Sequence, residues 1–157
     1  MKTTAAAFYA ARIATGLLAS AAAYILLPKS QAAQPRKVVI ITGASRGLGF
    51  ALAERYARSG ALLVLAARDE HELEHARQRL IDQRAVRHED DILLVSADLT
   101  DPDQAAGLIE NALRTFGKID ILINNAGIIE VGPIEDQPLD AFYRAMDTNF
   151  FAALHTT

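Results

Sequence analysis

From Lys37 onward, short apolar runs alternate with segments whose apolar residues recur at helical spacing. Val38 to Thr42 is an uninterrupted, largely β-branched run, the pattern of a strand buried on both faces. Leu48, Leu52 and Tyr56 then recur every fourth residue, predicting a helix with that stripe inward and a stop at Gly60. Leu62 to Ala67 predicts a second strand. Asp69 to about Arg84 predicts a charged helix with Leu73, Ala76 and Leu80 inside. Ile92 to Ser96 predicts a third strand. The next helix is capped by Thr100 or Asp101, has Pro102 in its first turn, and ends at Gly117. Its expected inner face is Leu108, Ile109, Ala112, Leu113 and Phe116. Ile119 to Asn124 predicts a fourth strand, and Asp140 to Met146 and Asn149 to the end predict helix. Strands alternating with helices of this length define an α/β class with a doubly wound parallel sheet of about four strands.

The segment before this domain differs in kind. Residues 5–27 are almost all apolar or small, interrupted by Arg12, and no acidic residue precedes Glu54. As a helix, roughly 23 residues span about 34 Å, enough for a bilayer core. Residues 1–27 are therefore expected to form an apolar helix acting as a membrane anchor or signal-anchor, followed by a linker over 28–36. A cleaved signal peptide, with Ser30-Gln31-Ala32 as its small-residue site, and a soluble extension are the alternatives. Lys29, Arg36 and Lys37 closely follow the apolar run, which predicts a domain on the cytoplasmic side. A cytoplasmic soluble protein is the other location weighed.

Composition narrows the chemistry. The chain has 157 residues, a formal net charge of −3 and no cysteine. One domain is expected, with no general attraction to nucleic acid. Disulfides, thiolate catalysis and cysteine-ligated metals are excluded.

Between the first strand and first helix lies Thr42-Gly43-Ala44-Ser45-Arg46-Gly47-Leu48-Gly49. Gly43 permits a tight turn off the strand, Gly47 a close backbone approach to a pyrophosphate, and Gly49 close packing of helix on sheet. The helix start then presents free N–H groups and a positive dipole end to phosphates. This predicts a Rossmann-type dinucleotide-binding βαβ unit over residues 37–157. The Thr-Gly-x-x-x-Gly-x-Gly pattern resembles the short-chain dehydrogenase/reductase family. Three further segments carry the resemblance in order: Asp98-Leu99, Asn124-Asn125-Ala126-Gly127, and Met146-Asp147-Thr148-Asn149. It implies nucleotide contacts from Gly43, Ser45, Arg46, Gly47, Leu48, Gly49, Arg68, Asp98, Leu99, Asn125, Ala126 and Gly127.

The end of the second strand reads Leu65-Ala66-Ala67-Arg68-Asp69. An NAD-selective site needs an acid there to accept from the ribose hydroxyls. Ala67 occupies the expected position, with Arg68 beside it and Arg46 in the glycine turn. Two guanidinium groups suit a 2′-phosphate, so NADP(H) is expected over NAD(H). Asp69 is the competing feature, since a one-residue shift would bring it to the ribose.

The resemblance also implies a Ser and a Tyr-x-x-x-Lys pair for reducing carbonyls or oxidising alcohols. Four positions after Tyr9, Tyr24, Tyr56 and Tyr143 stand Ile13, Pro28, Gly60 and Asp147. Of the family's active group only Asn149 is matched. The expectation is the cofactor-binding half of a membrane-tethered NADP(H)-dependent oxidoreductase, truncated after about four strands and with little or no turnover. Its substrate would be a small alcohol or carbonyl compound, lipid-like if the anchor is real. A non-catalytic nucleotide-binding pseudoenzyme or sensor is the alternative. The fourth strand is expected to lack a neighbour on one side, an aggregation-prone edge. Homo-oligomers are implied for the full-length family member. Dimerisation of this chain is in doubt because its last helix would lose packing surface.

His71-Glu72-Leu73-Glu74-His75 spells His-Glu-x-x-His, which on a helix can hold zinc. Its highly charged surroundings read as a solvated helix face, and its helix is expected away from the cofactor phosphates. A zinc peptidase is thus a distant third reading, and no metal is expected. Asn111 and His155 are assigned surface or packing roles.

Overall fold

The computed structural model describes residues 35–157. The expected anchor helix lies outside the described residues. Among the described residues, no helix is long and apolar enough to cross a membrane.

Four strands form one parallel sheet: β1 (Val38–Thr42), β2 (Leu62–Ala67), β3 (Ile92–Ser96) and β4 (Ile121–Ile123), in the order β3-β2-β1-β4. The register pairs Val38 with Leu62, Thr42 with Ala66, Val39 with Ile121, and Ala67 with Ser96. Parallel neighbours require crossovers, here α1 (Gly47–Arg58), α2 (Glu70–Asp82) and α3 (Pro102–Phe116). Because β1 is buried throughout, both of its faces need covering. Val39, Ile41, Leu63 and Leu65 pack with Phe50 and Ala53 of α1 and Leu73 and Leu80 of α2. Val38, Ile40, Val64 and Ala66 pack on the other face with Ala105, Leu108 and Ala112 of α3. The doubly wound sheet is thus present, with every strand's C-terminal end on one edge.

Two helix faces differ from the periodicity reading. The residues of α1 turned inward are Gly49, Phe50, Ala53 and Ala57, while Leu48 is 68% exposed and Leu52 and Tyr56 are half-buried. At Gly49 the helix start comes so close to the Gly43 carbonyl that no side chain fits there, which sets the rotation of the helix. In α3, Leu113 is exposed and Ala105 is fully buried, so the buried stripe starts a turn earlier than expected. Asp101 rather than Thr100 caps α3, its carboxylate accepting from the Asp103 N–H at 2.9 Å.

Arg36, expected in the linker over 28–36, is bonded into the domain. Its Nε donates to the Gly60 carbonyl at 2.8 Å, and its guanidinium pairs with the buried Asp91 carboxylate at 2.7 Å. This hydrogen-bonded pairing holds the Asp91 carboxyl below its ordinary range, against the opposing effect of burial. A depressed carboxylate contributes stability above its unfolded-state pKa and loses it as pH falls through the folded-state pKa. Arg36→Ala should cost about 2–3 kcal/mol at pH 7, measured by urea unfolding. That difference should shrink progressively below about pH 4. A variant as stable as wild type at pH 7 would contradict the pairing.

β4 forms an edge, and its three residues are only half-buried. After it come α4 (Leu139–Met146), a π-helical turn over Asp147–Phe151, and α5 (Ala152–His155). Thr156 Oγ1 lies 2.8 Å from Asn124 Oδ1, and His155 Nδ1 lies 3.1 Å from the Leu99 carbonyl oxygen. His155 therefore ties α5 to the loop after β3, a packing role. Ile129, Val131, Ile134, Met146 and Phe150 of this last region are each at least half exposed.

Candidate functional site

The glycine turn leaves β1 at the C-terminal edge of the sheet. Gly43 and Gly47 both adopt left-handed backbone, with φ of 63° and 58°. At Gly49, an added Cβ would come within 2.2 Å of the Gly43 carbonyl oxygen. The start of α1 is thereby pressed onto the turn. Around Gly47, by contrast, an added Cβ would meet nothing within 4 Å. The backbone there is open to a ligand. No side chain caps α1, so its first N–H groups are available to an anion.

Thr42 and Asn125 lock this turn to the end of β4. Thr42 Oγ1 accepts from the backbone N–H groups of Asn125 and Ala126, each at 2.9 Å. Asn125 Nδ2 donates to the carbonyls of Thr42 and Gly43 at 2.8 and 3.1 Å. The Asn125 side chain is thus committed to the turn.

Outside this lock, an open cleft of about 670 Å³ runs along the strand ends. Gly43, Ser45, Arg46 and Leu48 line it from the turn, and Ala67, Arg68, Asp69 and Glu72 line it from beyond β2. Asp98 and Leu99 lie after β3, and Asn125, Ala126 and Gly127 after β4. The structure therefore brings together residues drawn from widely separated parts of the sequence. Gly47 and Gly49 shape the turn without lining the cleft. Asp98 is oriented by Thr100, whose N–H and hydroxyl donate to its Oδ1 at 3.1 and 2.8 Å. Nearby, the side-chain hydrogen bond from Gln104 and the Asp103 N–H hold the Asp101 carboxyl below its ordinary range.

Asn149 does not line the cleft. It sits in the π-helical turn, where its Oδ1 accepts from the Ile128 N–H at 2.8 Å and its Nδ2 donates to the Ile128 carbonyl at 3.0 Å. This paired contact fixes the chain just after Gly127. Pattern matching could place Asn149 but not reveal that both ends of its amide are engaged.

The His-Glu-x-x-His helix lies elsewhere than expected. Asp69 caps α2 by accepting from the Glu72 N–H at 3.0 Å. Glu72 therefore stands in the first turn, beside the glycine loop. Ser45 Oγ donates to Glu72 Oε2 at 3.0 Å, and Arg46 Nη1 pairs with Glu72 Oε1 at 3.2 Å. The start of the helix thus packs against the glycine turn rather than away from it. His71 and His75 are exposed, and among the described residues no group of three His, Cys, Asp or Glu could hold a metal ion. The cap at Asp69 and the three-residue spacing to Glu72 were the available sequence signal. Ile128, Ile129, Thr148 and Ala152 also line the cleft and were not anticipated.

A parallel sheet in this order, with a glycine turn and a cleft at its C-terminal edge, defines a Rossmann-like α/β domain. Residues 37–157 match the family model described as short chain dehydrogenase, and the chain belongs to that family. It is 38% identical over 122 residues to 11-beta-hydroxysteroid dehydrogenase A of Sesamum indicum, covering 77% of this chain and 34% of that protein. The chain thus spans about a third of the length of that curated relative. Among solved structures, L-sorbose reductase from Gluconobacter frateurii, complexed with NADPH and L-sorbose, superposes with a TM-score of 0.69 at 33% identity. That match covers 77% of this chain and 44% of the reductase. The 3-ketoacyl-(acyl-carrier-protein) reductase from Brucella melitensis, complexed with NADH, gives 0.68 at 34% identity, covering 77% and 47% of the two chains.

Proposed function

We propose that this chain is the NADP(H)-binding part of an oxidoreductase that interconverts a small alcohol and its carbonyl compound. The observation that carries the cofactor assignment is the β2 end of the cleft. Arg46 and Arg68 line it together, with Ala67 where an NAD-selective site would hold an acid. The open backbone at Gly47 and the uncapped start of α1 supply the adjoining place for the pyrophosphate. The bound nicotinamide would supply or accept hydride, while the residues described here bind and orient the nucleotide.

The substrate class is supported by likeness to an L-sorbose reductase, an 11-beta-hydroxysteroid dehydrogenase and a 3-ketoacyl-(acyl-carrier-protein) reductase, and a lipid-like compound fits an anchored protein. No tyrosine in the 157 residues is followed four positions later by lysine, so these residues are proposed to bind nucleotide without turnover. Attachment to a membrane through residues 5–27, with the domain in the cytoplasm, remains part of the proposal.

Arg68→Ala decides the cofactor assignment. Loss of a charge-assisted contact to a 2′-phosphate should weaken NADPH binding roughly ten-fold or more, with little effect on NADH. Equal losses for both nucleotides, measured by calorimetric titration, would refute the preference.

A further inference from the structure

Glu72 presents a carboxylate to the cleft beside Ser45 and Arg46 of the glycine turn. Its two oxygens already engage the Ser45 hydroxyl at 3.0 Å and the Arg46 guanidinium at 3.2 Å. Ser45, Arg46, Arg68 and Glu72 all line the nucleotide cleft. The Arg46 side chain is 81% exposed and that of Glu72 41%. A pair this exposed is weak and readily opened by a more highly charged anion.

We propose that Glu72 is a specificity-determining residue for the nucleotide. In the free protein it holds Ser45 and Arg46. When a 2′-phosphate takes over those donors, the Glu72 carboxylate remains beside it as a like charge. A phosphate monoester carries about −1.5 to −2 charge at neutral pH, so the repulsion acts on NADP(H). The ribose hydroxyl of NAD(H) is uncharged and can donate to the same carboxylate. Glu72 thus moderates the preference that Arg46 and Arg68 create. This inference rests on placing the adenosine ribose at this end of the cleft, as in the proposed function.

The test titrates the full chain with NADPH and NADH, comparing wild type with Glu72→Gln, Glu72→Ala and Glu74→Gln. Glu74 lies on the same helix, is exposed, and pairs with Arg77 at 2.6 Å. Its substitution changes net charge equally without touching the turn. Both Glu72 variants should raise the ratio of NADPH to NADH affinity roughly three- to ten-fold, and the gain should shrink as salt is raised. Glu74→Gln should leave the ratio unchanged. An unchanged or lowered ratio in the Glu72 variants, or an equal rise in Glu74→Gln, would overturn the inference. A wild type that prefers NADH, with the ratio still rising in the Glu72 variants, would refute the NADP(H) assignment but uphold the role of Glu72. A wild type that prefers NADPH, with no rise, would do the reverse. Binding of neither nucleotide would overturn both.

Discussion

Gly49→Val is expected to be the most destabilising of the substitutions considered, because no rearrangement short of moving α1 makes room for the side chain. Its first carbon would lie 2.2 Å from the Gly43 carbonyl oxygen and 2.6 Å from Asn125 Nδ2. The first of these is backbone and the second is held by two hydrogen bonds, so neither yields as a flexible side chain would. Backbone displacement in a packed interior costs upward of about 3 kcal/mol, a large part of the 5–15 kcal/mol typical of a domain. Gly49→Ala should already be strongly destabilised. Gly107→Ala provides the contrast, since an added carbon within α3 meets nothing within 4 Å. That substitution should stabilise by about 0.5–1 kcal/mol through helix propensity. Urea unfolding of the three variants checks the set. Wild-type stability in Gly49→Ala would show that the close approach is wrong.

Thr42→Val carries the second large effect. The substitution keeps the shape of a side chain that is only 1% exposed. It removes the oxygen accepting from both the Asn125 and Ala126 N–H groups. Two part-buried donors left without partners cost about 2–4 kcal/mol together. The segment 125–127, which lines the cleft, also loses both hydroxyl contacts and stays tied to the turn through the Asn125 side chain, which donates to the Thr42 and Gly43 carbonyls. Thr42→Ser keeps the oxygen and should retain most of both stability and nucleotide affinity. A valine variant as stable as the serine variant would remove the hydroxyl from the account.

Three strands were legible at their bounds because their chemistry is local, whereas the fourth, expected over Ile119 to Asn124, pairs only over Ile121–Ile123. Val38 to Thr42 and Leu62 to Ala67 are recovered at their observed bounds, since burial on both faces demands apolar, β-rich runs. Gly43, Gly47 and Gly49 were legible for a similar reason, because backbone freedom and close approach leave few residue choices. What escaped was set by distant contacts. The stripe of α1 is off by one position because the Gly43–Gly49 approach decides which side chains fit beneath the helix. Arg36 looked like linker because its partner Asp91 is far along the chain. Glu72 was hidden inside a metal-binding pattern, and its position depends on how α2 folds back over the glycine turn. Asn149 matched its pattern, but its engagement with Ile128 depends on the path of the segment after β4.

The central claim is that the cleft at the glycine turn binds NADP(H). Hydrogen exchange of the full chain, with and without saturating NADPH, tests it most directly. Protection should rise at Gly43–Gly49, around Arg68 and at Asp98–Leu99 and Asn125–Gly127, and the titration should saturate at a single site. Protection confined to other segments, or no saturation up to about 1 mM, a binding free energy weaker than about −4 kcal/mol, would contradict it.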